Sequence, residues 1–429
     1  MRVTKRIDSE GTSTRIPIFG KRIAFVLYNY PLGVSTMLIN SVALLAEHNS
    51  VDVYVSSADR RDHPCDSWLE DRLVSYPDWR GQFALHVIRY ITNRVTRVLA
   101  VRSSSIAWLL SNLDVVLFSR WFRKQVRRQQ YDILVAVECF SLIAIDRAGP
   151  GMADVIYYNM ELLDWNPQHP LHTNKIALKR LEYRALACVS HVMITSPERA
   201  RIFSTINEFP AERVSALPVL PMTSDTPIRS SYFRTKFGIS EDSLLVIYSG
   251  NFQAWAKCVE IIDSVNHWPV NAALVMHTWS KSAANLPYFS EMRARAEGLP
   301  VFFSTDYILH KDLPGALTSA DIGLLFYEAI DANFTEILFS SNKMAEYMAA
   351  GLPVVCSPFP TLERFVRDEH IGIGCDFADI GAAIAQISTD IEGYRRRVDA
   401  CRNRYFRFEP HFDAAFSCYA AHAHKTHRA

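Results

Sequence analysis

One carboxylate, Glu346, stands inside the apolar stripe of Met344, Tyr347, Met348 and Ala350, in a stretch that opens Ser340-Ser341-Asn342-Lys343 and closes Gly351-Leu352-Pro353-Val354-Val355-Cys356. Burying a charged carboxylate is costly unless something pairs with it, so its place in the stripe points to a ligand. The same stretch reads as a capped helix feeding a buried strand. Ser340 or Ser341 supplies the oxygen that receives a first-turn amide, and Gly351 supplies the left-handed residue that ends the helix. A helix N-terminus also offers unpaired N–H groups and a positive partial charge, which suits phosphate. Ser340, Ser341, Asn342 and Lys343 are therefore candidates for holding a phosphate-bearing ligand, with Glu346 one turn further on. An ordinary helix-turn-strand with Glu346 facing solvent is the other reading of this pattern.

The segment resembles the donor-binding segment of retaining, glycosyltransferase-four-like enzymes of the GT-B fold, in which a helical Glu is followed by Met-Ala and then Gly-x-Pro-Val-Val. The resemblance implies that Glu346 binds the ribose hydroxyls of a nucleotide-sugar and that the amides around 340–342 face its diphosphate. Ser249-Gly250-Asn251-Phe252 followed by Trp255-Ala256-Lys257 resembles the family's strand-end Gly-Arg and later Lys-Gly, the residues that clamp the diphosphate. Gly250, Asn251 and Lys257 fall on those positions, but Asn251 stands where the arginine is expected and Cys258 where the glycine is. Lys257 reads either as that clamp or as a solvated lysine opening a helix. The family's second glutamate, eight positions before the first, is replaced by Leu338; Glu336 and Glu328 are nearby substitutes or plain surface charges.

In the first half, Tyr157-Tyr158-Asn159-Met160-Glu161-Leu162 sits where a strand ends. The stretch resembles the family position that faces the transferred sugar and acceptor, and ligands gather at the carboxyl ends of strands in open α/β sheets, so Glu161 is a candidate catalytic residue. His277, closing another apolar run, is a candidate donor contact or a satisfied core histidine. No metal is expected: there is no Asp-x-Asp, and His169 and His172 lie in a Pro-containing loop without a third ligand. The chain also lacks G-x-G-x-x-G after its first strand and the Gly-rich Lys-Ser/Thr phosphate loop, which argues against the competing nucleotide folds.

Elements able to position these residues are legible. Apolar runs at residues 23–28, 51–55, 133–137, 155–158 and 192–195 alternate with helical patterns, and the alternation restarts at 244–248, 273–277, 301–303, 322–326 and 353–356. Strand, helix and strand in that order build a doubly wound parallel sheet. The turn 29–33 after the first run offers only Gly33 for close backbone approach. The expectation is an α/β chain of two Rossmann-like domains over 21–222 and 223–404 behind a tail over 1–20. The resemblance implies the central cleft between them, the acceptor role of the first and the donor role of the second, and a crossing helix and tail over 405–429 that return to the first domain. The boundary is read from the Pro- and Ser/Thr-rich run at 217–227.

At 429 residues the chain can fill two such cores, and 46 Lys+Arg against 45 Asp+Glu gives no global signal for nucleic acid. The eight cysteines are scattered without a C-x-x-C pair, and no apolar run reaches about 20 residues, the span of a bilayer. The expected setting is the cytoplasm or the inner face of a membrane. Residues 83–128 mix nine Lys and Arg, among them Arg120, Arg123, Lys124, Arg127 and Arg128, with aromatic and aliphatic residues. Such a stretch either docks on an anionic membrane surface or divides into a solvated and a core face. The implied partners are a nucleotide-sugar and a glycan acceptor, sugar transfer being the expected activity. A binding or scaffold protein that has lost turnover, and a nucleotide-sugar epimerase, are the rival readings.

Overall fold

The computed structural model describes residues 18–28, 30, 32, 35–56, 67–76, 104–163, 173–222, 228–279, 281–309 and 312–426. Asn29, Pro31 and Gly33 of the first turn, His169, His172, residues 83–103 of the basic stretch and residues 223–227 of the Pro-rich run lie outside the described residues. The chain divides into two compact units, Met1–Leu217 with Glu409–Ala429, and Pro218–Phe408.

In the first unit seven strands, β1 (Arg22–Leu27), β2 (Ser50–Val55), β3 (Leu73–Ser75), β4 (Ile133–Val137), β5 (Asp154–Asn159), β6 (His191–Ile194) and β7 (Val214–Ala216), pair in the order β3-β2-β1-β4-β5-β6-β7. Every pair is parallel. Parallel strands covered on both faces need near-continuous apolar sequence, and Phe25, Val135, Ala136, Ile156 and Met193 are fully buried. The helices of this unit include α1 (Ser104–Gln129), α2 (Glu138–Ala148) and α3 (Thr173–Ala185). From Val115 on, the apolar face of α1 is internal, since Phe118 and Phe122 are buried and Phe118, Trp121 and Phe122 pack on Tyr28, Tyr54 and Tyr76. Its Arg123 turns back to donate to the carbonyl of Ala148, 2.8 Å away at the end of α2. The C-terminal helix Phe408–Thr426 belongs to this unit, where the Tyr419 hydroxyl donates to Asp154 at 2.7 Å. Among the described residues no helix is long and apolar enough to cross a membrane.

The second unit holds β8 (Leu244–Ser249), β9 (Ala272–His277), β10 (Val301–Ser304), β11 (Ile322–Leu325), β12 (Val354–Cys356) and β13 (Gly372–Gly374), in the order β10-β9-β8-β11-β12-β13 and again all parallel. Asp321, just ahead of β11, gathers the guanidinium groups of Arg229, Arg234 and Arg395 and accepts from the Leu245 amide at 2.8 Å. A nearly buried carboxylate is tolerable with so many donors around it.

Helix α4 (Asn342–Ala349) forms as its sequence dictates. Ser341, rather than Ser340, is the cap, and its hydroxyl accepts from the Met344 amide at 3.2 Å. Gly351 lies at φ 72°, and the bonds Gly351 N–H to Met348 O and Leu352 N–H to Tyr347 O close the helix in a Schellman arrangement. Tyr347 locks α4 to the sheet: its hydroxyl accepts from the Ser249 amide at 2.9 Å and donates to the Leu324 carbonyl at 3.1 Å. Its ring needs the space at Gly323, where an added Cβ would lie 2.6 Å from the ring. Gly323→Ala should therefore cost about 1–3 kcal/mol by overpacking. A calorimetric scan checks this; an unchanged melting transition would mean the tyrosine moves aside freely.

Candidate functional site

Both sheets reverse their strand order once, between β1 and β4 in the first and between β8 and β11 in the second. The carboxyl ends of strands at such a switch point are where open α/β sheets hold ligands. In the second unit the residues singled out in the sequence collect there. Ser249 ends β8 and Gly250 and Asn251 follow it, Tyr327 and Glu328 follow β11, and the start of α4 meets both strands through Ser341, bonded to Tyr327, and Lys343, bonded to Tyr248.

Lys343 is the centre of the arrangement. Only 7% exposed, its ammonium donates to the Tyr248 hydroxyl at 3.3 Å and lies 4.4 Å from the centre of the Tyr248 ring and 4.1 Å from that of Tyr327. Two ring faces attract the cation without neutralising it. Trp255 stacks on Tyr327, and the Tyr327 and Ser341 hydroxyls bond at 2.9 Å, so the cage is braced from outside. Gly250 leaves the room the lysine stem needs: a Cβ there would meet Lys343 Cδ at 3.1 Å. Burial pushes the Lys343 amine down to about 7, against the pull of Cys258 and Glu346 in the other direction. Glu346, one turn on, is half-buried by exposure yet crowded by protein on most sides, and that burial pushes its carboxyl up to about 8 while Lys343 draws it down.

Lys257 lies in a left-handed conformation (φ 56°) ahead of the helix Cys258–Ser264, its ammonium 3.2 Å from Glu260 and 3.7 Å from Glu328. It is half-buried and already engaged by two carboxylates. Asn251 is exposed, and its carbonyl accepts from the Tyr248 hydroxyl at 2.8 Å. His277 is buried at the end of β9 with Nδ1 3.1 Å from Ser304 Oγ, and burial lowers it to about 4. Its imidazole is thus a neutral group turned toward β10, although its carbonyl receives the Gly250 amide at 2.9 Å. Glu336 is half-buried and accepts from Thr361 Oγ at 2.9 Å; Leu338 is core.

In the first unit Glu161 is exposed just past the end of β5. Its amide and that of Met160 donate to one oxygen of Glu138, at 3.2 and 2.9 Å. Glu138 opens α2 directly after β4 and does not stand out in the sequence. The available signal is its position, a lone carboxylate closing the apolar run Ile133–Val137.

No protein-family model and no curated protein sequence matches the chain. Solved structures do. Sucrose-phosphate synthase from Thermosynechococcus elongatus superimposes with a TM-score of 0.63 at 15% identity, covering 95% of this chain and 98% of that one. HepE of Anabaena in complex with UDP gives 0.63 at 14% identity over 94% and 100% of the two chains. WaaG, a glycosyltransferase involved in lipopolysaccharide biosynthesis, gives 0.60 at 15% identity over 92% and 98%. With its two parallel sheets of seven and six strands, the chain has the GT-B glycosyltransferase fold.

Proposed function

We propose that the protein is a glycosyltransferase that moves a sugar from a nucleotide-sugar donor to a glycan or lipid-linked glycan acceptor, with retention of anomeric configuration. The observation that carries the reading is the buried Lys343 ammonium at the first turn of α4, with Glu346 one turn along, at the switch point of the second sheet. A cation, a helix N-terminus and a partly exposed carboxylate in that order suit a diphosphate followed by a ribose diol. Lys343 then supplies the charge that Asn251 lacks, and Glu346 takes the ribose hydroxyls as the sequence resemblance implies. Lys257 and the α4 amides share the charge that develops on the departing diphosphate, the kind of stabilisation that lowers transfer barriers most. Glu161, on the first unit, orients the acceptor hydroxyl. Retention rests on the sequence resemblance around Glu346. A peripheral position on an anionic membrane, on its cytoplasmic face, belongs to the same reading; Arg120, Lys124, Arg127 and Arg128 are exposed on α1.

Binding without turnover is the second reading, favoured by the two carboxylates already on Lys257. A thermal-shift panel of nucleoside diphosphates followed by a transfer assay separates the two. UDP is the first probe, because HepE structures hold UDP and UDP-glucose. A ligand at 100 times its dissociation constant should add about 2.7 kcal/mol of stability. Stabilisation with donor-dependent transfer or slow donor hydrolysis supports the enzyme. Stabilisation without either supports the binding protein, and no response to any nucleoside diphosphate ends both.

A further inference from the structure

The first sheet has a switch point too, and its chemistry is unlike that of the second. Glu138 follows β4 there, beside the end of β1, in the left-handed region at φ 64°. A residue with a side chain is seldom found in that conformation without a reason, and the surrounding contacts must hold it there. They do so through the end of β5. Besides receiving the Met160 and Glu161 amides, Glu138 neighbours a Met160 that is fixed from three further sides. The Arg199 guanidinium donates to the Met160 carbonyl at 2.7 Å, while the Tyr30 and Ser35 hydroxyls lie 2.9 and 3.8 Å from its sulfur.

Resting on the assignment of Glu161 to the acceptor, we propose that Glu138 is a positioning residue for acceptor transfer: from the β1/β4 switch point its carboxyl grips the Met160 and Glu161 amides and so aims the Glu161 carboxylate. Two carboxyl groups at neighbouring strand ends would ordinarily repel. Burial, then the Glu161 charge, then Glu182 push Glu138 up to about 8, against the two amide bonds. It is accordingly neutral at pH 7. The other charged or titratable groups nearby are Tyr30 after β1, Cys139 beside it on α2, Tyr157 on β5, the buried Lys179–Glu182 pair on α3, and Arg199 on the helix Pro197–Asn207. A pH above about 8 ionises Glu138 against Glu161 and Glu182 and should weaken acceptor use.

The test compares Glu138→Ala with Glu138→Gln, whose amide oxygen can still accept from both N–H groups but cannot ionise. For Glu138→Ala the acceptor KM should rise, or kcat fall, about tenfold, with nucleoside diphosphate binding within twofold of wild type. With the donor saturating, Glu138→Gln should recover to within about threefold and lose the fall in acceptor use above pH 8. Hydrogen exchange at the Met160 and Glu161 amides supplies a readout independent of turnover: at least about tenfold faster in Glu138→Ala and near wild type in Glu138→Gln. Transfer unchanged in Glu138→Ala, or Glu138→Gln as impaired as Glu138→Ala, overturns the role. Should the wild-type protein transfer nothing, the enzymatic reading fails, and the exchange data alone decide whether Glu138 anchors the loop.

Discussion

Lys343→Met is expected to lower transfer by about 10²–10³-fold, the loss seen when one preorganised charge-stabilising group is removed from an active site. The same substitution should leave the melting temperature unchanged or raise it. The lysine is buried against Tyr248 and Tyr327 with Cys258 and Glu346 acting on its charge, and methionine has a similar length and no charge to desolvate. Lost activity with preserved stability is the signature of a residue kept for a ligand. If stability fell and diphosphate binding stayed, Lys343 would be structural and the donor site would lie elsewhere.

The pH dependence has a definite sign. Burial holds the Lys343 amine at about 7 in the free protein, well below its ordinary range. An anion placed beside it favours the charged form, so binding a nucleoside diphosphate takes up a proton at pH values above 7. Affinity should fall by up to about tenfold per pH unit above 7 in the wild type and lose that slope in Lys343→Met. Folding responds in the opposite direction: with the folded pKa depressed, the unfolded chain binds more protons between about 7 and 10.5, and this group's contribution to stability rises with pH across that window. Glu346, raised from 4.5 to about 8, lowers stability as pH climbs through 4.5 to 8. Titrating Lys343→Met and Glu346→Ala by calorimetry separates the two contributions.

Most of the scaffold is legible in the sequence because parallel strands buried on both faces leave long apolar runs, and ten such runs coincide with strands. The strands that escape, β3, β7 and β13, have three residues each and carry no period to detect. In β13 the glycines are forced by packing, since a Cβ on Gly372 would lie 2.0 Å from the Val354 carbonyl. Glu346 and the Ser341 cap can be read because helical spacing is local. The surroundings of Lys343 cannot, because Tyr248 is 95 residues away and Tyr327 belongs to a different strand end. In sequence Lys343 is a candidate only by its place in a helix's first turn, with nothing to mark it as buried between two rings. Glu138 is hidden for a related reason: nothing in Val137-Glu138-Cys139 announces a left-handed residue or the two amides that reach it from β5.

Glu346→Ala should weaken nucleoside diphosphate binding by about 10–10²-fold, the loss of one or two hydrogen bonds to its carboxyl group. The sugar and the phosphates can be told apart by choice of probe. If Glu346 holds the ribose, inorganic pyrophosphate should bind wild type and Glu346→Ala equally within about threefold, whereas Lys343→Met should weaken pyrophosphate and nucleoside diphosphate alike. A 2′-deoxynucleoside diphosphate should bind wild type less well than its ribose counterpart, and that difference should vanish in Glu346→Ala. Vanishing matters more than either single loss, because Lys343 and Glu346 share one helix and act on each other's ionisation. Removing either carboxylate or amine therefore perturbs the other, and only a probe lacking the contacted hydroxyl isolates the contact itself. A persistent ribose preference in Glu346→Ala would move the diol to another residue and leave Glu346 as the counter-charge of Lys343.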